Sequence, residues 1–211
     1  MKKTLLALSV VAFSAFATAD IYGPGAGFSI PDNVPAGASS SIAIGTDITA
    51  VNSVTLRGLT HTWAGDLNIT LSNGLGSVDL VRRLGGITTT SAGDSSNFLG
   101  DYTFAVGGAD LNIASQGGTS TFDIPAGTYA PATNVFSGVL ATTHVNTNFS
   151  GLVGAGSAGN WTLTISDNAG LDTGSLTSWE IDATPDAVPE PATMIVLGGA
   201  ALAAAARRRK K

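Results

Sequence analysis

The interior of this sequence predicts an all-β fold, an antiparallel β-sandwich or jelly roll, and three observations carry that expectation. Apolar residues alternate with period two at Leu67, Ile69, Leu71, at Trp161, Leu163, Ile165 and at Trp179, Ile181, Ala183, with Asn68, Thr70, Thr162, Thr164, Glu180 and Asp182 between them. Turn clusters such as Ser72-Asn73-Gly74, Gly85-Gly86, Gly107-Gly108 and Pro125-Ala126-Gly127 punctuate the chain, which holds 27 glycines. No window between the two ends spaces its apolar residues as a helix would, so no internal helix is expected. One face of each strand is buried and the other wetted, as in antiparallel sheets covered on one side. Many short strands at this spacing favour a sandwich over a parallel sheet.

The elements follow in order. Strands are expected near Ser40–Ile44, Val51–Leu59, Leu67–Leu71, Val78–Leu84, Asp101–Val106, Ser120–Ile124, Val135–Leu140, Trp161–Ile165 and Trp179–Ala183. The echo between Asp66-Leu67-Asn68-Ile69 and Asp110-Leu111-Asn112-Ile113 is too short to define a repeat and reads as coincidence. Hydrophobic helical segments flank this β domain on both sides, giving three parts: residues 1–19, 20–187 and 188–211.

Both ends read as addresses. Lys2 and Lys3, an apolar run from Leu5 to Ala17 and the small residues Ala17 and Ala19 ahead of Asp20 make the three-part pattern of a secretory signal, cleaved after Ala19. The apolar run is shorter than the roughly 20 residues that a membrane span needs. At the other end, Val188, Pro189, Glu190 and Pro191 precede an apolar stretch from Ala192 to Ala206 and five consecutive cations, Arg207 to Lys211. A helix over that stretch rises only about 22 Å, short of the roughly 30 Å hydrocarbon core, and the basic cluster resists translocation. Such a tail pauses in the membrane with its end cytoplasmic and presents a peptide bond to a membrane enzyme.

The charge balance changes once those ends are set aside. The chain has ten Lys and Arg and fifteen Asp and Glu, but only Arg57, Arg82 and Arg83 lie between Asp20 and Ala187, where only Glu190 of the acids is lost. A surface this acidic repels phosphate backbones, which require clustered cations, so nucleic acid is not an expected partner. All but Glu180 of the retained acids are Asp, a residue that suits turns and calcium loops. The absence of cysteine excludes a disulfide framework, a thiolate zinc site and a cysteine nucleophile. Stability must come from burial.

The residues at the C-terminus resemble a known family. Val-Pro-Glu-Pro-Ala-Thr, a short Gly/Ala/Leu-rich span and an Arg-rich terminus, across Val188 to Lys211, resemble the PEP-CTERM sorting signal. That resemblance implies recognition by an exosortase, removal of the tail, and a Gram-negative host that makes extracellular polysaccharide. A second resemblance lies in Thr60-His61-Thr62-Trp63-Ala64-Gly65-Asp66-Leu67-Asn68-Ile69-Thr70-Leu71, in Gly159-Asn160-Trp161-Thr162-Leu163-Thr164-Ile165-Ser166-Asp167 and in Gly174-Ser175-Leu176-Thr177-Ser178-Trp179-Glu180-Ile181. Together these are similar to the P domain, or P/Homo B domain, the jelly roll that follows the catalytic domain of subtilisin-like convertases and proteases. A convertase would need a catalytic domain ahead of this one, where the signal runs almost directly into the P-like region, so protease activity is not implied.

Several constellations are candidates for chemistry. His61 is one of two histidines, with His144, but no Gly-x-Ser-x-Gly elbow accompanies them, and no enzyme is expected. Trp63, Trp161 and Trp179 offer aromatic faces for sugar rings, although Trp161 and Trp179 belong to buried alternations, which leaves Trp63 as the candidate. Asn68, Asn148 and Asn160 fit the glycosylation acceptor pattern, which in a bacterial chain arises by chance. Asp66, Asp167 and Asp172, each at or beside a strand end, with Asp32 as a fourth, supply the hard oxygens that calcium takes. The P-domain resemblance implies calcium near these turns.

The sequence thus predicts an exported, non-catalytic protein of the cell surface or extracellular matrix, with a structural or adhesive β domain. Signal peptidase and an exosortase process it, extracellular polysaccharide or surface proteins are its partners, and its membrane association is transient. The alternative is a detached P domain that associates with or stabilises a subtilisin-like protease.

Overall fold

A computed structural model describes residues 18–86, 91–115, 121–135 and 143–187, with the side chains of Val135, Thr143 and His144 left aside. Its compact unit is Ala19–Asp186; the second unit, Met1–Thr18 with Ala187–Lys211, contributes only Thr18 and Ala187 to the described residues. Ala17 and the motif Val188 to Pro191 lie outside them, as do both terminal apolar segments.

Among the described residues, ten of twelve strands form two main sheets. The larger sheet runs β1 (Asp20–Ile30), β12 (Gly174–Pro185), β3 (Ile48–His61), β6 (Asn97–Ala109) and β7 (Asp123–Ile124), with β8 (Gly127–Tyr129) also pairing β6. The second runs β2 (Ala38–Ile44), β11 (Gly159–Asp167), β4 (Leu67–Ser72) and β5 (Ser77–Arg82). A short ribbon pairs β9 (Ala132–Val135) with β10 (Thr143–Asn146). All pairings are antiparallel except those of β7 and β8 with β6.

The expected alternations are the core. On β11, Trp161, Leu163 and Ile165 are buried while Thr162 and Thr164 are half-exposed, and β4 repeats the pattern with Leu67, Ile69 and Leu71. On β12, Trp179, Ile181 and Ala183 point inward between Glu180, Asp182 and Thr184. These residues join Val54, Leu56, Tyr102 and Phe104 of the larger sheet in one hydrophobic cluster. Period two places alternate side chains on opposite faces, so two half-apolar sheets bury their faces against each other.

Three expectations need correction. The chain does contain a helical turn: α1 (Leu111–Ala114) is capped by Asp110, whose carboxylate accepts from the Asn112 and Ile113 amides. The same four-residue pattern at Asp66 opens β4, so the echo between the two segments has no structural counterpart. The strand expected at Ser120–Ile124 is confined to Asp123–Ile124 in the described residues, and Val135–Leu140 lies outside them beyond Val135. Finally, β1 was not anticipated, because Gly23, Pro24, Gly25 and Gly27 interrupt any alternation.

Those glycines are there for close approach. A Cβ on Gly25 would stand 2.1 Å from Nε1 of the buried Trp179, and one on Gly27 would stand 2.1 Å from the Thr177 carbonyl oxygen. Gly25→Ala should therefore force the Trp179 indole out of position and cost about 1–3 kcal/mol, as overpacking does. A chemical-denaturation midpoint equal to that of the unaltered chain would show that the indole has room to move.

Candidate functional site

One end of the sandwich is polar, with His61, Asp66 and Asp167 buried in it. There β3 finishes at His61, a single 3-10 turn (Ala64–Asp66) leads into β4, β11 finishes at Asp167 and β12 begins at Gly174. Register holds these ends together, since Gly174 faces both His61 and Ile30, and Asp167 faces Leu67. The four aspartates singled out from sequence, Asp32, Asp66, Asp167 and Asp172, are thereby brought to one place.

His61 and Asp167 are fully buried, with His61 Nε2 3.2 Å from Asp167 Oδ2. The Trp63 amide donates to Nδ1 at 3.1 Å, and the Trp63 carbonyl lies 2.9 Å from the same nitrogen. The Asp167 carboxylate accepts, so Nε2 carries a proton and donates to it, while Nδ1 lies between the amide and the carbonyl of Trp63. The other oxygen of Asp167 accepts from the Ala169 amide at 3.0 Å. Both ring nitrogens are occupied, by Asp167 on one side and the Trp63 backbone on the other, so this pair pins the turn at Trp63. Gly174 makes room for the ring, because a Cβ there would stand 2.7 Å from His61 Cδ2.

Asp66 is the electrostatic centre of the end. It is 2% exposed, its backbone carbonyl accepts from the Asn168 amide at 3.0 Å and from Asn168 Nδ2 at 2.9 Å, and its Oδ1 has no hydrogen-bond partner. The nearest cation is the buried Arg83, whose Nη2 lies 3.8 Å from that oxygen. Burial, reinforced by the carboxylates of Asp167, Asp172 and Asp32 and opposed by Arg83, pushes the Asp66 carboxyl up to about 6.

Two of the remaining carboxylates each accept a bond through one oxygen. Asp172 Oδ1 accepts from the Thr62 hydroxyl at 2.8 Å, and Asp32 Oδ1 accepts from the Leu171 amide at 3.0 Å. Among the described residues no three His, Asp or Glu side chains stand close enough to share a metal ion. Arg83 and Asn168, which hold the end together, were not read from sequence.

The tryptophans divide as burial dictates. Trp161 and Trp179 are fully buried, their indole N–H groups donating to the Ser157 carbonyl at 2.9 Å and to Ser40 Oγ at 2.8 Å. Trp63 is half-buried and its N–H donates to the Ala92 carbonyl. No shared aromatic platform forms from the three. A shallow cleft of about 460 Å³ opens beside His61, lined in part by Thr60, Thr62, Asn97, Leu99, Asp123 and Ser175.

The fold is an antiparallel sandwich with a polar cluster at one end. Residues 124–183 match the proprotein convertase P-domain, and residues 187–210 match the PEP-CTERM protein-sorting motif, which marks the chain as exported and sorted to the surface. No curated protein matches the chain. A solved chain in the crystal structure of the Aeromonas sobria serine protease (ASP) and chaperone (ORF2) complex is similar at 14% identity and a TM-score of 0.42. The match covers 83% of this chain and 28% of that one, so this chain spans under a third of its length.

The Asp66 carboxyl supplies a pH test. It titrates near 3.8 when unfolded and about 6 when folded. Its contribution to stability is therefore fully present below 3.8 and is lost as pH rises through about 6, a change on the order of 3 kcal/mol. Relative to Asp66→Asn, the unaltered chain should gain stability as pH falls from neutral towards the unfolded value. Parallel melting curves for the two proteins would refute an elevated Asp66.

Proposed function

We propose that this chain is an exported, non-catalytic component of the cell surface or extracellular matrix, in which the sandwich is a structural or adhesive module. The observation that carries this reading is the sorting motif at 187–210, which begins where the compact unit Ala19–Asp186 ends. In this reading signal peptidase cuts after Ala19, and an exosortase acts at Val188, Pro189, Glu190 and Pro191 while the apolar span from Ala192 holds the tail transiently in the membrane of a Gram-negative cell. The occupied His61 ring supports the non-catalytic part, since both of its nitrogens are engaged by Asp167 and the Trp63 backbone. Among the described residues no helix is long and apolar enough to cross a membrane. Extracellular polysaccharide or surface proteins are the partners this location would offer.

The P-domain match over 124–183 favours a second reading, a detached P domain that associates with or stabilises a separately encoded subtilisin-like protease. Affinity capture from the producing bacterium separates the two: retained polysaccharide or surface proteins support the first, and a co-purifying subtilase supports the second. Sorting has its own test in the mass of the surface-released chain. That chain should begin at Asp20 and lack the Arg/Lys tail, whereas Pro189→Ala with Glu190→Ala should leave a full-length tail in the membrane fraction. Equal processing of both proteins would remove the exosortase from the account.

A further inference from the structure

We propose that the Arg83 guanidinium is the built-in cation of the Asp32, Asp66, Asp167 and Asp172 end, so that this sandwich holds its clustered carboxylates without a divalent ion.

Arg83 is placed for that role by the chain on every side. β5 ends at Arg82, and Arg83 then turns into the left-handed region with φ 45°, which carries its side chain inward to 4% exposure. Its carbonyl accepts from Asn134 Nδ2. Its guanidinium donates from Nη1 to the Asn168 carbonyl at 3.2 Å and from Nη2 to the Ser91 carbonyl. Asn168 in turn donates twice to the Asp66 carbonyl, so one asparagine ties the cation to the segment that carries the unpartnered carboxylate oxygen.

A non-polar reading of this arrangement fails on cost. An arginine buried without a counter-charge is expensive, and so is an aspartate, yet the two lie 3.8 Å apart between strands that could have carried apolar residues. The other three carboxylates show why the cation need not be a metal. Asp167 is divided between His61 and Ala169, Asp172 is held by Thr62, and Asp32 is held by Leu171. The planar guanidinium donates to carbonyls on two loops while its charge stands 3.8 Å from the Asp66 carboxylate, whereas calcium requires six to eight oxygens gathered around one point.

The test melts the purified chain in EDTA and across a calcium chloride titration, with magnesium chloride as control. The unaltered chain should melt at the same temperature throughout. Arg83→Gln should melt lower by roughly 10 °C, the shift expected from breaking a buried pair in a domain of this size. Calcium should recover about half of that loss, because the uncovered carboxylates then prefer an ion in the folded state. Asp66→Asn combined with Arg83→Gln should melt above the single Arg83→Gln variant and ignore calcium. A saturating, calcium-specific rise in the unaltered chain that Asp66→Asn abolishes would overturn the proposal, as would an Arg83→Gln variant indifferent to calcium. Should Arg83→Gln not fold in either condition, the double variant decides: recovery of folded protein supports the role of Arg83 as counter-charge, and continued failure to fold overturns it.

Discussion

Two indoles set the terms for the rest of this sandwich. Trp161 sits on β11, which is paired on both sides by β2 and β4, and Trp179 sits on β12, paired on both sides by β1 and β3. Each is fully buried between the sheets. With no cysteine to cross-link the chain, the core must supply the stability, and burying an aromatic ring is the largest single contribution a side chain can make. The indole N–H groups cannot be left unpaired in such a core, and this fixes neighbours of a definite kind. Ser157 offers its carbonyl to Trp161, and Ser40 offers its hydroxyl to Trp179 while donating to the Ala26 carbonyl at 2.6 Å. Glycine at position 25 follows from the same ring. Thus one buried side chain constrains three strands.

The polar end is built on the opposite logic. Its groups are not buried to gain apolar contact; each holds a loop that cannot form ladder bonds. His61 fastens the Trp63 turn, Asp167 the turn at Ala169, Asp32 the loop at Leu171, and Asn168 the segment at Asp66. Removing one partner from such a network leaves the other buried and unpaired, which costs more than the bond itself contributes. The same argument explains a fully exposed Leu171 with φ 86°, since its amide is held by Asp32 regardless of where its side chain points.

What could be read from the sequence follows from this division. β4, β11 and β12 were legible because their residues alternate strictly between core and water, and the four aspartates were legible because strand ends are where such residues gather. β1 was not, since it packs backbone against Trp179 and Thr177 and its glycines carry no alternation. The single turn α1 is too short for a helical period to register. Arg83 was illegible for a different reason: beside Arg82, it reads as half of an exposed pair. The two separate only because the strand ends between them, sending Arg82 out towards Asp79 and Arg83 in towards Asp66. A change of backbone conformation at one residue carries no mark in composition or spacing.

The arginines also bear on what this surface can hold. Arg57 is engaged by Asp101 at 3.3 Å and Glu180 at 2.5 Å, Arg82 faces Asp79 at 3.6 Å, and Arg83 is buried, so each cation of the domain is matched by a carboxylate. The exposed face is then governed by the remaining aspartates, among them Asp32, which is exposed at the loop end. A field of one sign repels like-charged polymers at distances comparable to the Debye length. Under the proposed adhesive role this field would select among partners: a neutral glycan or a basic protein could approach this domain directly, whereas an acidic polysaccharide would require bridging cations drawn from the medium. Cations acting in that way would sit between surfaces, outside the fold, and would leave its melting temperature unmoved while changing what it retains.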